Sequence, residues 1–315
     1  MFSLIYNSLT TRPPHATINP MERQLQYPIT DEHAGLTVDR FLRGKGYSNN
    51  LLIHLKKNDQ AIRIAGQHVY TNHVLAKGDV LCIRIFEEES SPNIVPSPIK
   101  LNIVYEDEDL FVINKPADMP IHPSQGNHDN TLANALAWLY QERGEPFVYR
   151  AINRLDRDTT GLLILAKNML SACILASMVK NRQIHREYLA IADGIVPPGG
   201  TIDAPIARSE QSTIERVVDF ERGERSVTHF RRLAVHNGLS LVSLELETGR
   251  THQIRVHMKH LGYPLLGDFL YNPDYRYIKR QSLHSHRLRF DHPVTGKAME
   301  FLAELPEDMK KVLED

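Results

Sequence analysis

Cysteine is scarce in this chain of 315 residues, which narrows the chemistry open to the protein. Cys82 and Cys173 lie far apart and form no Cys-x-x-Cys pair, so neither a disulfide framework nor a zinc site is indicated. We therefore expect a reducing, cytoplasmic setting and no bound metal. Long apolar runs are missing too, and residues 1–20 lack the basic start and apolar core of a secretory signal. We expect no membrane association.

Glycine-rich nucleotide loops are also absent from the sequence. There is no Gly-x-Gly-x-x-Gly segment and no Walker loop, and Gly199-Gly200 stands alone. The sequence thus gives no sign of a dinucleotide or nucleotide cofactor, and we predict that the protein uses none.

The chain has almost no net charge, −1 at pH 7, which is not the strongly basic balance common among nucleic-acid-binding proteins. The charges are nevertheless segregated: residues 250–289 hold eight Lys and Arg against two acids, while acids gather at residues 87–89, at 106–109 and near the C-terminus. A locally basic face is what phosphate binding requires. The alternative is that these cations are ordinary solvated surface.

Composition and hydrophobic pattern divide the chain into four parts. Residues 1–29, rich in Thr and Pro between positions 10 and 20, are predicted to be a flexible tail in which Met21 is a candidate true start. Residues 30–88 are predicted to form a small αβ domain, 89–98 an acidic, Ser- and Pro-containing linker, and 99–315 a larger domain. In the small domain we expect helices over 36–42 and 51–57 and strands over 61–64 and 80–86.

Apolar periodicity predicts the main elements of the larger domain. We expect strands over 110–114, 162–166, 187–192, 226–235 and 239–247, and helices over 131–142 and 168–181. Thr131 should cap the first of these helices, and Thr251 should cap another that carries Gln253, Arg255 and His257. The order strand 162–166, helix, strand 187–192 favours a parallel crossover, which would start Tyr188 beside Asp156.

A carboxylate among arginines stands just before the buried strand 162–166, in the segment Arg150-Ala-Ile-Asn-Arg-Leu-Asp156-Arg-Asp-Thr-Thr-Gly161. Such a turn would hold Asp156 at the rim of a sheet, and neighbouring positive charge would keep it ionised. A reactive carboxylate needs that environment. The alternative is a turn residue that hydrogen-bonds its own backbone.

A second segment strengthens the reactive interpretation: Glu247-Thr-Gly-Arg-Thr-His-Gln-Ile-Arg-Val-His257, continuing to Gly267-Asp268. Together the two segments resemble the catalytic motifs of the RluA family of pseudouridine synthases, and the resemblance extends from about Leu101 to Leu305. Further pieces stand in the family's order: Val112-Ile-Asn-Lys-Pro116, Pro120-Ile-His-Pro123, Tyr188-Leu-Ala190, Leu283-His-Ser-His286 and Phe290-Asp-His-Pro-Val-Thr-Gly296.

The resemblance implies an α+β fold: a small αβ domain similar to the S4 RNA-binding domain, then a catalytic domain built on a mixed, mainly antiparallel sheet with flanking helices. In the S4-like part, Arg40, Lys56 and Lys57 are the candidate RNA ligands. The match is degenerate there, because Ser48-Asn49-Asn50 and Asp59-Gln60 replace the family's usual residues. An inert αβ appendage is the alternative.

Pseudouridine formation breaks the bond from uracil N1 to ribose C1′, rotates the base and joins its C5 to C1′. The reaction needs a carboxylate near C1′, as a nucleophile or as a base at C2′, and a pocket that excludes water. The resemblance assigns the carboxylate to Asp156, its guanidinium partner to Arg255, and a ring that stacks on the uracil to Tyr188. A strand tyrosine in the core is the alternative for Tyr188.

Other positions that match the motifs are candidates for holding the flipped-out nucleotide and its RNA. Arg154 could fill the gap left by the base or bind a phosphate, with a salt bridge to Asp158 as the alternative. Lys115 and His122 could line the pocket or hold its first loop. The remaining candidates are Thr160, Arg250, His252, Gln253 and His284. We predict no metal at the histidines, since the family needs none.

The sequence departs from the family pattern at Asn153, Thr160, Arg186 and Asn272, where His, Ser, Lys and Gly are usual.

The first interpretation of the matching motifs is a monomeric RNA uridine isomerase acting on ribosomal RNA, with transfer RNA as the second substrate. The alternatives from other classes are a catalytically vestigial RNA-binding or ribosome-assembly factor and a carboxylate-nucleophile hydrolase. The hydrolase would need a partner acid or base, and none is apparent.

Overall fold

The computed structural model describes residues 21–87 and 89–314, which contain six helices and fifteen strands. The helices are α1 (Val38–Gly44), α2 (Asn49–Leu55), α3 (Leu132–Arg143), α4 (Met169–Lys180), α5 (Gln253–His260) and α6 (Glu307–Glu314). The strands are β1 (Met21–Pro28), β2 (Ile62–Ile64), β3 (Gln67–His68), β4 (Val80–Glu87), β5 (Ile103–Glu106), β6 (Leu110–Lys115), β7 (Thr160–Ala166), β8 (His185–Asp193), β9 (Gly199–Asp203), β10 (Ile206–Arg208), β11 (Arg216–Val218), β12 (Val227–His236), β13 (Leu239–Leu246), β14 (Leu283–Asp291) and β15 (Ala298–Leu302). None of the helices in the described ranges has the length and apolar character needed to cross a membrane.

The N-terminal unit is an antiparallel sheet in the order β1-β4-β2-β3, covered by α1 and α2. Side chains alternate along β4 between buried and half-buried, as expected for a strand with one face on a core. Thr37 and Ser48 start the two helices by accepting hydrogen bonds from backbone N–H groups. The predicted tail was wrong for residues 21–28, because they form β1 and pair with β4 along its whole length. Residues 1–20 lie outside the described residues.

The second unit is a nine-stranded mixed sheet in the order β5-β6-β7-β14-β8-β13-β12-β9, with β15 paired to β14. All its pairs are antiparallel except β7 with β14, as the mixed, mainly antiparallel prediction requires. β7 is buried throughout because helices cover both faces: Leu163 and Leu165 pack toward α3, and Leu162 and Ile164 toward α4. This explains its unbroken apolar run.

The predicted parallel crossover from β7 to β8 was wrong. β14 lies between them, parallel to β7 and antiparallel to β8, so β7 and β8 run in opposite directions. The strand that fills this place comes from more than a hundred residues further along the chain, where the local order of elements carries no information about it. Gly161 and Tyr188 nevertheless both face Ser285 of β14, so they lie at the same level of the sheet.

Gly161 sets how closely β7 and β14 approach each other. Its φ of 108° is in the region that favours glycine, and an added Cβ would lie 2.3 Å from the backbone oxygen of Ser285. Glycine at this position therefore allows β7 to pair with β14 directly after the turn that carries Asp156.

The two units share a polar and apolar interface. Glu87, at the end of β4, accepts hydrogen bonds from the Arg150 guanidinium (2.8 Å) and the Met169 backbone N–H (3.0 Å). Arg23 of β1 donates two hydrogen bonds to Asp109, and Leu170 of α4 belongs to the core of the N-terminal unit. The predicted linker 89–98 lies wholly within the described residues. It contains no helix or strand and runs along the larger unit, where the Ser91 N–H donates to the Phe147 carbonyl.

Candidate active site

A cleft of about 900 Å³ opens on the larger unit between the turn before β7 and the start of α5. The turn contributes residues 151–157, the end of β13 and the start of α5 contribute residues 246–255, and the end of α4 and β8 contribute a third wall. All three segments were singled out in the sequence or lie next to motifs that were.

The turn that carries Asp156 is fixed by backbone hydrogen bonds. Ile152 donates to the Ile164 carbonyl, and Ile164 donates back to Oδ1 of Asn153 at 3.0 Å. Nδ2 of Asn153 is buried without a hydrogen-bond partner in the described part of the chain. The Thr159 N–H donates to the Asp156 carbonyl and closes the turn. Asp156 is thereby presented to the cleft.

Lys115, at the end of β6, supports this turn from below. Its ammonium is buried and donates to the carbonyls of Pro116 and Arg157, both at 2.7 Å. Burial lowers the pKa of Lys115 to about 7, with the charges of Asp158 and Asp156 acting in the opposite direction. Lys115 therefore holds the loop, one of the two roles expected for it.

Asp156 and Arg255 form the central ion pair, as predicted. Nη1 of Arg255 lies 2.8 Å from Oδ2 of Asp156, whose side chain is 27% exposed, whereas that of Arg255 is 1% exposed. Nε and Nη2 of Arg255 donate to the two oxygens of the buried Asp268, at 2.6 and 2.8 Å. Burial acts against the charge of Arg255, but the hydrogen bonds to Asp268 and the charge of Asp156 outweigh it and raise its pKa.

His252 stands beside this pair at the N-cap of α5. Its φ of 58° is left-handed, and Nε2 lies 3.9 Å from Oδ2 of Asp156. Burial lowers the pKa of His252, although the charge of Asp156 opposes the change. The prediction that Thr251 caps the helix was wrong: the N-cap is His252, and no side chain caps the helix by a hydrogen bond. The left-handed backbone instead brings an imidazole to the cleft, and unfavourable backbone of this kind is concentrated at functional sites.

Tyr188 lies on β8, between the main core and the cleft. Its side chain is 4% exposed and packs in the main core, yet it also lines the cleft that contains Asp156. The core interpretation and the cleft interpretation of this tyrosine are thus both compatible with its position. Its stacking role stays a prediction.

The wall of the cleft is positively charged in a protein whose net charge is −1. Two acids, Asp156 and Glu247, line it against seven cationic side chains: Arg154, Arg157, Lys180, Arg182, Arg186, Arg250 and Arg255. Some are partly neutralised by acids nearby, as Arg250 is by Glu224 at 2.5 Å and Arg182 by Glu247 at 3.0 Å. Arg154 lies 3.5 Å from the hydroxyl of Thr251 and faces the opening. This arrangement suits a phosphate backbone.

Comparison with known proteins identifies the family. The family model described as RNA pseudouridylate synthase matches residues 109–260. The RNA pseudouridine synthase YjbO of Bacillus subtilis is 41% identical over 88% of this chain and 98% of its own length. The chain belongs to the RluA-type RNA pseudouridine synthases. The Ribosomal large subunit pseudouridine synthase D of Haemophilus influenzae is 42% identical over 73% of this chain and 75% of its own.

Solved pseudouridine synthase structures share the fold. The human RNA Pseudouridylate Synthase Domain Containing 1 has a TM-score of 0.54 and 30% identity, covering 65% of this chain and 83% of that one. The human RNA Pseudouridylate Synthase Domain Containing 4 has a TM-score of 0.55 at 24% identity, covering 68% and 92%. The α+β class predicted from the sequence is confirmed.

Not every candidate residue of this pseudouridine synthase reaches the cleft. Thr160 and His284 are buried and hydrogen-bond each other at 2.8 Å, and Nε2 of His284 faces the Ala303 carbonyl at 3.2 Å. Burial lowers the pKa of His284 to about 4, so the ring is neutral at physiological pH. These positions do not favour the predicted RNA contacts, because both polar groups are already used inside the protein.

Gln253 touches the cleft, but its amide is also used internally. Oε1 accepts from the Thr248 hydroxyl and the Arg250 N–H, and Nε2 donates to the Val227 carbonyl and the Thr228 hydroxyl. Such a saturated amide orders the entrance to α5 and has little left for RNA.

His122 lines the cleft on the opposite side and packs its edge against Tyr149. Burial and the charge of Arg154 lower the pKa of His122. Arg40, Lys56 and Lys57 are exposed on the N-terminal unit and lie outside the cleft lining. Their RNA-binding role stays a prediction.

Sequence reasoning missed the support behind Arg255, which Asp268 and Tyr271 provide. Asp268 stood inside a quoted motif without a role, and the spacing Gly-Asp-x-x-Tyr was the available signal. It also missed two residues of the cleft wall that belong to no motif: Lys180, the last residue of α4, and Arg182, two residues further along the chain. A cluster of Asp107, Asp109 and His292 has metal-ligand spacing, but Arg23, Tyr105 and Asn168 already donate to its carboxylates, so we assign it no metal.

Proposed function

We propose that this pseudouridine synthase isomerises specific uridines in large-subunit ribosomal RNA, and that Asp156 is the carboxylate that does the chemistry. The observation that carries the proposal is the state of Asp156: one oxygen is held by a buried arginine, and the other faces the cleft with no hydrogen bond from the described residues. The relatives named Ribosomal large subunit pseudouridine synthase D support this choice of RNA.

In the proposed reaction, the target nucleotide leaves its stack and enters the cleft. Asp156 attacks C1′, or removes the proton at C2′, as the bond from C1′ to N1 breaks. The uracil rotates, and its C5 joins C1′ as the bond from Asp156 to C1′ breaks or, on the second route, as C2′ regains its proton. The C5 proton is then lost to water while N1 gains one. Nothing is oxidised or added overall. Arg255 keeps the carboxylate charged and directed in a site from which water is partly excluded.

Tyr188 is proposed to stack on the uracil, and the cationic wall to hold the flanking phosphates, with Arg154 at the position vacated by the base. Because Arg154, Lys180 and Arg186 have no ion-pair partner among the described residues, they are the best phosphate ligands of the set. Replacing Arg186 by Gln should weaken RNA binding and reduce the slope of log affinity against log salt by about 1.

We further propose that the N-terminal unit is a degenerate S4-like RNA-binding domain and that the protein works as a monomer in the cytoplasm. Exposed Arg40, Lys56 and Lys57 support the first part. Because the unit is joined to the larger one by Glu87 and Arg23, it would offer RNA a second contact at a fixed distance from the cleft.

The test uses RNA labelled with tritium at uridine C5. We expect wild-type protein to release tritium from large-subunit ribosomal RNA, and Asp156→Asn to release none above background. Asp158→Asn, two residues along the same turn, is the matched control and should keep activity within a few-fold of wild type. Release from transfer RNA alone would move the substrate to the second candidate.

Two outcomes would overturn the proposal as a whole. Absence of release from both RNAs by folded wild-type protein favours a vestigial binding or assembly factor, and liberated free uracil favours a hydrolase. Pseudouridine mapping in cells that lack the gene then identifies the site, since the loss of one modification in the large-subunit RNA names the target nucleotide.

A further inference from the structure

A single turn, residues 267–272, lies behind the groups that face Asp156. Asp268 shapes it: Oδ1 accepts from the N–H groups of Leu270 and Tyr271 at 3.1 and 3.2 Å, and its carbonyl accepts from Asn272. Gly267 has a φ of 65°, and an added Cβ would lie 2.3 Å from the carbonyl oxygen of Arg280. The turn is thus fixed both by its own hydrogen bonds and by close backbone packing.

The same turn fixes the direction of Arg255. The guanidinium is planar, so two parallel hydrogen bonds from Nε and Nη2 to Asp268 determine its orientation. The remaining Nη1 then points at Asp156. The ring of Tyr271 lies 5.0 Å from Cζ of Arg255 and limits its movement on one face.

The hydroxyl of Tyr271 contacts one of the two ring nitrogens of His252 and so bears on which of them carries the proton. This hydroxyl accepts from the Arg216 backbone N–H at 2.9 Å and lies 2.9 Å from Nδ1 of His252. If Nδ1 accepts the tyrosine proton, Nε2 carries hydrogen and faces Oδ2 of Asp156 at 3.9 Å. The opposite tautomer would leave the tyrosine proton without an acceptor and turn a lone pair toward a carboxylate.

We propose that Asp268 and Tyr271 are positioning residues of the isomerase: Asp268 aims Arg255, and Tyr271 holds His252 as a neutral N–H donor directed at Asp156. The proposal rests on the role of Asp156 proposed above. The separation of 3.9 Å is longer than a hydrogen bond, so His252 does not yet donate to Asp156. A small movement of Asp156 as the nucleotide binds would form this hydrogen bond. One turn thereby sets two donors around Oδ2 of Asp156 and leaves Oδ1 open to the cleft.

The kinetic test compares Tyr271→Phe with the matched control Tyr275→Phe. Tyr275 belongs to the same loop but is 38% exposed. Loss of the neutral hydrogen bond between Tyr271 and His252 should lower the rate of tritium release at saturating RNA by roughly 5-fold, with KM unchanged. Asp268→Asn should lower it on the order of 10- to 100-fold, because charged hydrogen bonds are lost. Tyr275→Phe should match wild type.

The spectroscopic test needs no RNA and no activity. In protein labelled with nitrogen-15 at histidine, long-range proton–nitrogen spectra distinguish the two tautomers, and His252→Gln identifies the signal of residue 252 by its loss. We expect the Nε2–H form in the wild type and a mixture of tautomers in Tyr271→Phe. If Asp268→Asn fails to fold, Tyr271→Phe still tests the part of the proposal that concerns Tyr271 and His252.

Three results would overturn the proposal: an Nδ1–H tautomer in the wild type, an unchanged rate for Tyr271→Phe, or an effect of Tyr271→Phe confined to KM or to thermal stability. An Asp156→Asn variant that still turns over would overturn the proposed function instead. The tautomer measurement would still report on the turn in that case, so the two failures can be told apart.

Discussion

Two carboxylate–arginine clusters in this protein have similar composition and opposite character. In one, Asp109 is 3% exposed and its oxygens accept from Arg23, Asn168 and Ser171. In the other, the Asp156 carboxylate is 27% exposed and accepts one hydrogen bond from the described residues, that of Arg255. The first carboxylate joins the two units, and the second faces a cleft of about 900 Å³.

The contrast separates structural from reactive acids better than burial or charge alone. The carboxylate oxygens of Asp109 accept hydrogen bonds from donors within the protein, so they are not available to a ligand. Asp156 has one oxygen available for reaction. Its other oxygen is bound by Arg255, which Asp268 and the turn that contains Asp268 hold in place. Unfilled hydrogen-bonding capacity beside a firmly held partner is the useful mark of a reactive carboxylate.

The largest effect is expected where the open carboxylate is neutralised. Asp156→Asn should reduce turnover by at least about 10³-fold, since the reacting group is lost. Stability should change little, because Arg255 keeps its two hydrogen bonds to Asp268. Tritium release and thermal melting measured on one preparation check both halves, and a large fall in melting temperature would put Asp156 with the structural acids.

The saturated carboxylate should show the reverse. Asp109→Ala leaves Arg23 half-buried with its main partner removed, and should lower the free energy of unfolding by about 3 kcal/mol. Glu108→Gln is the matched control: Glu108 pairs with the same arginine but is 77% exposed, so its loss should cost less than about 1 kcal/mol. Urea unfolding measures both, and turnover of folded Asp109→Ala should be close to wild type.

Lys115 extends the comparison to a buried amine whose hydrogen bonds are made within the protein, beneath the turn that carries Asp156. Burial lowers its pKa to about 7, below its ordinary value of 10.5. Between these values the unfolded chain binds a proton that the folded protein lacks, so the free energy of unfolding should rise as pH goes from 7 to 10. Lys115→Met should remove that part of the rise, while the exposed Lys279→Met keeps the wild-type slope. Equal slopes in all three proteins would contradict the assignment.

The smallest effect is expected for a saturated hydroxyl close to the cleft. Thr160→Val keeps the shape of the side chain but leaves Nδ1 of His284 without its donor, at a cost of about 1 kcal/mol. RNA affinity at fixed salt should not change, because the hydroxyl does not reach the cleft lining. Weaker RNA binding by this variant would restore the RNA contact predicted from the sequence.

Local pattern was enough to predict most elements near the site. The strand predicted over 110–114 is β6, the helix over 131–142 is α3 with Thr131 as its cap, and the helix over 168–181 is α4, each within two residues. These elements succeed because apolar periodicity and capping chemistry act over a few residues and are visible in any short window.

Long-range placement could not be read in the same way. The position of β14 between β7 and β8 depends on residues 283–291, whose pairing is decided by the whole sheet. β1 was missed because residues 21–28 are largely polar, and one face of an edge strand buries little. His252 was missed as a cap because a left-handed backbone at a non-glycine residue is held by tertiary contacts, not by local preference.

At the site, the motifs brought together Asp156, Tyr188 and Arg255, and the structure places all three at one cleft with the predicted ion pair formed. What the sequence could not show is which polar groups are already satisfied. Gln253 and His284 stand within or beside motifs just as Arg255 does, yet their hydrogen bonds end inside the protein. Saturation is a property of three-dimensional partners.

Gly161 has a consequence for any attempt to redesign this protein. A side chain there would strike the backbone of Ser285, so β14 would have to move away from β7, carrying with it the strand that keeps Tyr188 level with the reactive turn. In a library that varies each position in turn, residue 161 should thus tolerate replacement as poorly as residue 156. The absence of a side chain at residue 161 is thus as necessary to the isomerase as the carboxylate of Asp156.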